Sequence, residues 1–137
     1  MSSTLEGKNV LVVDDDPDIL ATIEKVLDDL GAVVATAVDG NAAVVAAESA
    51  QPDLIILDAM LPKKSGFLVL ERLKGGQKRG DKPLVIMITG NEGKRHEQWA
   101  QSLGVDGYIT KPIKSKRMLA EIARVLALDL DSNGTRS

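Results

Sequence analysis

Four aliphatic residues in a row, Leu54-Ile55-Ile56-Leu57, run without a polar interruption into a carboxylate at Asp58. A strand with one face in water alternates apolar and polar side chains. An unbroken apolar run suits a strand covered on both faces, as in a parallel sheet flanked by helices. Asp58 then lies where that strand surfaces. In open α/β sheets the ligand crevice sits outside the carboxyl ends of the strands, so position makes Asp58 a site candidate. Taken alone, it is better explained as an ordinary turn aspartate. Its company changes that reading.

The same arrangement recurs along the chain. Asn9 to Val13 is a β-branched, apolar run that stops at Asp14, Asp15 and Asp16. Pro17 follows as the first residue of a helix with Asp16 as its cap, and Ile19, Leu20, Ile23, Val26, Leu27 and Leu30 continue at helical spacing. Val33 to Ala37 is a short, weakly patterned second strand. Gly40 to Ala50 is an alanine-rich helix ended by Gln51-Pro52. After Asp58, the breakers in Leu61-Pro62-Lys63-Lys64-Ser65-Gly66 form a loop, Phe67 to Lys74 a helix, and Gln77 to Lys82 a polar linker. Leu84 to Ile88 is a second uninterrupted run, topped by Thr89-Gly90-Asn91. Glu92 to Leu103 reads as a polar helix with a narrow apolar face of Trp99, Ala100 and Leu103. Tyr108-Ile109-Thr110 is a short last strand followed by Lys111-Pro112, and Met118, Leu119, Ile122, Val125 and Leu126 mark a final amphipathic helix.

Strict alternation of strand and helix requires right-handed crossovers between parallel strands. The expected fold is α/β: a doubly wound five-stranded parallel sheet with helices on both faces. The flavodoxin-like order 2-1-3-4-5 puts the most apolar strands, one, three and four, at its centre. One domain spans residues 1–128. Residues 129–137 have too little apolar content to pack and are expected to be a flexible tail, with no output domain fused here.

Composition narrows the function. The 137 residues contain no cysteine, no signal-peptide pattern and no apolar run approaching a membrane span, so a soluble cytoplasmic protein without membrane contact is the expectation. A net charge of −3, from 17 basic and 20 acidic residues, gives no electrostatic footprint for direct nucleic-acid binding. One Phe, one Tyr and one Trp leave no base-stacking platform.

In the expected strand order Asp14, Asp15 and Asp58 converge on one crevice. Three carboxylates drawn together repel one another, and a divalent cation relieves that repulsion. Mg²⁺ takes hard oxygen ligands and typically combines one or two carboxylates with a substrate phosphate. His96 is the only histidine and reads as a solvated helix residue, so a nitrogen or sulfur metal site is excluded. A carboxylate can attack phosphorus to form an acyl phosphate when charge on the transferring group is neutralised. Asp58 is the candidate nucleophile. Lys111 is a candidate point charge for a phosphoryl oxygen, and Thr89 a candidate hydroxyl donor. Individually these are also a surface lysine, a turn threonine and an acidic helix start favoured by the dipole. All of them together at successive strand ends argue for a site.

With Val12-Val13-Asp14-Asp15-Asp16-Pro17, Leu57-Asp58, Leu61 to Gly66, Ile88-Thr89-Gly90 and Tyr108 to Pro112 in this order and spacing, the chain resembles the receiver domains of bacterial two-component response regulators, from about Asn9 to Leu128. The resemblance implies that Asp58 accepts a phosphoryl group from a phosphohistidine on a sensor histidine kinase or histidine phosphotransfer protein. It implies Mg²⁺ held by Asp15, Asp58 and the Met60 carbonyl, with Asp14 acting largely through water. It also implies phosphoryl contacts from Lys111 and Thr89 and a cis Lys111-Pro112 peptide. Phosphorylation would draw Thr89 inward and Tyr108 after it, changing the face formed by the fourth helix, fifth strand and fifth helix, roughly Glu92 to Leu126. Such a protein is a phosphoacceptor that promotes its own phosphorylation and dephosphorylation rather than an enzyme with a separate substrate. Its output is a downstream protein target, as a monomer or a phosphorylation-dependent dimer. Met60 and Asn91 border the path of the hydrolytic water, and Gly90 stands where alanine is common.

Three other classes fit less well. A haloacid-dehalogenase-type phosphohydrolase expects a second carboxylate two residues after the nucleophile, where this chain has Met60. A flavodoxin-like cofactor binder needs a phosphate loop where this chain has three acids. A receiver-shaped scaffold that no longer uses phosphate is the alternative that the intact acid cluster, Thr89 and Lys111 argue against.

Overall fold

Each strand is followed by a helix: β1 (Asn9–Val13), α1 (Pro17–Asp29), β2 (Val33–Ala37), α2 (Gly40–Ala50), β3 (Leu54–Asp58), α3 (Gly66–Lys74), β4 (Leu84–Thr89), α4 (Lys94–Ser102), β5 (Gly107–Thr110) and α5 (Ser115–Asn133). This computed structural model describes residues 5–61, 65–75, 83–90 and 94–133, with the side chains of all but 94–96 and 128–133. The strands form one sheet, parallel as the alternation requires, in the expected order β2-β1-β3-β4-β5.

The apolar run of β3 divides its side chains between two cores. Leu54 and Ile56 pack with Ile23 and Leu27 of α1 and Ile122 and Val125 of α5. Ile55 and Leu57 pack on the other face with Ala43 of α2, Leu70 of α3 and Ala100 of α4. All five β3 residues and all six of β4 are buried, which is why neither strand tolerates a polar residue until its last position. At the edge, β2 buries only Ala37 and is correspondingly weak in pattern.

Local signals set where helices begin. Asp16 caps α1 by accepting the Asp18 N–H, with Pro17 in the first turn. Asp39 caps α2 through the Ala42 N–H at 2.8 Å, and Ser65 caps α3 through the Phe67 N–H at 3.1 Å. These caps leave short strand-to-helix turns at the sheet's carboxyl edge.

The elements depart from the sequence reading at three places. Of the expected apolar face of α4, Ala100 is buried while Trp99 remains 47% exposed, its ring stacked on Phe67 of α3 at 4.4 Å and 5°; the expected helix start at Glu92 and the expected linker Gln77 to Lys82 lie outside the described residues. α5 runs to Asn133, because no Gly or Pro interrupts the chain before Gly134. The residues expected to start a tail, from Asp129 to Asn133, are helical. Leu5, upstream of β1, is fully buried beneath α1 and ties down by donating its N–H to the Leu30 carbonyl at 3.0 Å.

Candidate functional site

Pairing of Val13 with Leu57 brings the carboxyl ends of β1 and β3 side by side. Asp14, Asp15 and Asp58 each offer a carboxylate oxygen within 4.8 Å of the others. Asp14 and Asp58 are buried, at 0% and 2% exposure, whereas Asp15 faces solvent. One open carboxylate therefore stands over two sealed ones.

Backbone donors orient the sealed pair. Asp14 Oδ1 accepts the Asp16 N–H at 2.9 Å, so the cap of α1 and the first acid are set by the same turn. Asp58 Oδ1 accepts the Met60 N–H at 3.2 Å. Gly66 packs against the back of this turn. A Cβ there would collide with the Asp58 carbonyl oxygen and lie 2.7 Å from Ala59 Cα. Sequence marks Gly66 as a breaker that closes the Leu61 to Gly66 stretch; the close approach that demands glycine is visible only once α3 is placed.

Lys111 follows β5 and is anchored by its N–H to the Thr89 carbonyl at 2.7 Å. Its Nζ lies 3.5 Å from Asp58 Oδ1 and 3.6 Å from Asp14 Oδ2, longer than an optimal charge-assisted hydrogen bond. The Lys111-Pro112 peptide is cis, as the resemblance implied. Thr89 ends β4 at 1% exposure, and its hydroxyl donates to the Gly90 carbonyl at 3.0 Å. Tyr108 pairs with Met87, two residues before Thr89, so side-chain alternation puts Thr89 and Tyr108 on one face of adjacent strands. Tyr108 is half-buried against the same core as Met87.

Burial pushes the Asp58 carboxyl up to about 6, with the Asp14 charge adding to the rise and the Met60 N–H and Lys111 opposing it. Asp14 is also raised, chiefly by burial. Asp14 Oδ2 is buried with no hydrogen-bond donor among the described residues. Repelling acids and an unsatisfied oxygen are what a hard divalent cation would relieve, and the oxygen-only donor set suits Mg²⁺. The cluster can therefore hold a metal ion.

Thus the expected Asp14, Asp15, Asp58 and Lys111 are brought together, and Thr89 adjoins them through Lys111. Met60 contributes backbone while its side chain is 64% exposed. Asn91, Pro62, Lys63 and Lys64 lie outside the described residues, as do the side chains of Lys94, Arg95 and His96.

Residues 10–123 match the model of the response regulator receiver domain family. The chain is 38% identical over 117 residues to the DNA-binding dual master transcriptional regulator RpaA of Synechocystis sp., which covers 85% of this chain and 48% of RpaA. It spans about half the length of RpaA and of other transcriptional regulators that it matches. Protein PilG of Pseudomonas aeruginosa is 30% identical over 122 residues, covering 89% of this chain and 90% of PilG. The receiver domain of a sensor histidine kinase of Pseudomonas aeruginosa, solved with a magnesium ion coordinated in its active-site cleft, superposes with a TM-score of 0.76. It is 28% identical, and the match covers 88% of this chain and 98% of that one.

Proposed function

Because the chain belongs to the response regulator receiver domain family, we propose that it is a phosphoacceptor switch in which Asp58 takes a phosphoryl group from a phosphohistidine on a sensor histidine kinase or histidine phosphotransfer protein. The observation that carries this reading is the convergence of Asp14, Asp15 and Lys111 on the sealed Asp58 carboxylate. An Asp58 oxygen attacks phosphorus, the P–N bond to the partner's imidazole breaks, and its electron pair returns to that ring. At neutral pH a carboxyl raised only to about 6 is still mainly ionised and able to attack. Lys111 Nζ meets charge on the phosphoryl oxygens, and the Thr89 hydroxyl leaves the Gly90 carbonyl to donate to one of them. Asp15, Asp58 and the Met60 carbonyl would hold Mg²⁺ directly, with Asp14 acting through water. When bound, Mg²⁺ supplies charge neutralisation for the transferring group. Water attack on the same acyl phosphate reverses the state.

The switch is a two-state equilibrium biased by the Thr89 contact, with Tyr108 following on the same sheet face. Its output is a change in protein contacts over α4, β5 and α5, including a phosphorylation-dependent dimer as one form. RpaA is named as DNA-binding, but this chain matches only about half of it. For the domain itself we assign protein partners rather than nucleic acid, on its net charge of −3 and its three aromatic residues. Among the described residues, no helix is long and apolar enough to cross a membrane.

Intact-mass measurement after incubation with acetyl phosphate tests the reaction. A single phosphoryl adduct that needs both Mg²⁺ and Asp58, and is absent in Asp58→Asn, is the expected result. No adduct, together with no beryllofluoride response in Trp99 fluorescence, would favour a phosphate-independent scaffold.

A further inference from the structure

β5 is an edge strand, and the backbone groups on its outer side would ordinarily be left to solvent or to another chain. Here α5 takes those of Tyr108, together with the Asp106 carbonyl just before the strand. Glu121 Oε2 accepts the Tyr108 N–H at 2.9 Å, Arg117 Nη2 donates to the Tyr108 carbonyl at 3.3 Å, and Arg124 Nη2 donates to the Asp106 carbonyl at 2.8 Å. Residues 117, 121 and 124 share one face of α5. They are also tied to each other: Glu121 Oε1 accepts Arg117 Nη1 at 3.1 Å and Arg124 Nε at 3.2 Å, and Glu121 Oε2 accepts Arg124 Nη2 at 2.7 Å.

Glu121 is the centre of this ladder. It is 6% exposed although it is a carboxylate on a surface helix, while its arginine partners are half-exposed. Burial alone would push its carboxyl up. Arg124, the Tyr108 N–H and Arg117 outweigh burial and hold it down at about 2. The sequence makes room for it with glycine. A Cβ on Gly107 would sit 2.8 Å from Glu121 Oε2 and 2.8 Å from Val125 Cγ2, so a larger residue would have to displace the carboxylate and the valine methyl from these positions. A cleft of about 440 Å³ lies over the ladder, with Glu97 and Gln101 of α4 in its lining.

We propose that Glu121 is a positioning residue: its carboxylate, clamped by Arg117 and Arg124, fixes the backbone of Tyr108 and makes β5 and α5 move as one body. Resting on the receiver reading, this assigns α5 as the element to which a displacement of the Tyr108 backbone is passed. A ladder that merely blanketed the sheet edge would not carry that displacement.

The test uses the full chain labelled with ¹⁵N, as wild type, Glu121→Ala and Glu121→Gln. In unmodified protein, Glu121→Ala should raise amide exchange at Tyr108 about tenfold or more relative to Ile86 of β4, the loss expected for one charge-assisted hydrogen bond. Glu121→Gln keeps an acceptor of nearly the same shape, which guards against misfolding of the alanine variant. It should move the Tyr108 amide proton upfield and raise its exchange less. With Mg²⁺ and beryllofluoride, both variants should keep the wild-type amide shifts at Thr89 and Lys111, while Glu121→Ala loses more than half of the shifts between Arg117 and Val125. Unchanged Tyr108 exchange relative to Ile86, or wild-type α5 shifts in Glu121→Ala, would overturn the assignment. Wild type without any beryllofluoride response would overturn the receiver reading and the transmission it supports. The exchange ratio decides the positioning role in either case.

Discussion

Two buried carboxylates of this protein titrate in opposite directions because only one has its charge matched. Glu121 is held down at about 2 by two guanidinium groups and a backbone N–H, whereas Asp58 is pushed up to about 6 by burial beside Asp14, with Lys111 no closer than 3.5 Å. Between the ordinary carboxyl value of 3.8 and about 6, the folded protein binds more of a proton at Asp58 than the unfolded chain does. Stability therefore falls as pH rises through that window, and the full penalty applies above it. With metal chelated, Asp58→Asn should stabilise the protein at neutral pH by about 3 kcal/mol, with the gain shrinking towards zero near about pH 4. Urea unfolding of both proteins across that range measures it; a gain independent of pH would refute the assigned cause. Residue type and strand-end position were enough to single out Asp14, Asp15, Asp58, Thr89 and Lys111 in the sequence. What remained hidden was how far each is sealed, since Asp14 and Asp15 are neighbours of one type and only the first is buried.

Between elements, the ties that sequence could not show are polar. Lys74, the last residue of α3, has a fully buried side chain. Its Nζ donates to Asp106 Oδ2 at 2.9 Å and to the Pro83 carbonyl at 3.1 Å, and Asp106 Oδ2 also accepts the Val85 N–H at 2.8 Å. This pair pins α3 to the start of β4 and β5. In sequence Lys74 is one more basic residue in the last turn of a helix, 32 positions from its partner. Periodicity reports which face is apolar and is silent on a charged side chain that turns inward. Lys74→Met should cost about 3 kcal/mol in urea unfolding by removing the buried cation that donates to the Asp106 carboxylate. Lys74→Met combined with Asp106→Asn should recover much of that loss, because the asparagine can still accept the Val85 N–H. Equal losses in the single and double variants would mean that the pair is not the source. The Arg117–Glu121–Arg124 ladder was hidden for the same reason, although Gly107 just before Tyr108 is the residue that admits it. By contrast, the central strands were legible throughout, since Leu54 to Leu57 and Leu84 to Ile88 serve two cores at once.

At the scale of the molecule, one parallel sheet does two jobs. Its apolar centre divides alternate side chains between the α1–α5 core and the α2–α3–α4 core, and its carboxyl edge collects the charged residues those cores exclude. Alternation makes the sheet parallel and the most apolar strands, β1, β3 and β4, take its centre, which is why the crevice between β1 and β3 could be placed before any coordinates. The extent of the last helix could not, because the polar stretch after Leu128 lacks apolar periodicity yet contains no breaker before Gly134. Which carboxylate carries the phosphoryl group decides the role of every other residue at this edge. Borohydride reduces an aspartyl phosphate to homoserine, so treating the acetyl phosphate-incubated protein and mapping its peptides locates the adduct by residue. Homoserine at position 58 alone is the expected result. Homoserine at position 14 or 15, or a phosphoryl adduct that borohydride leaves untouched, would contradict it.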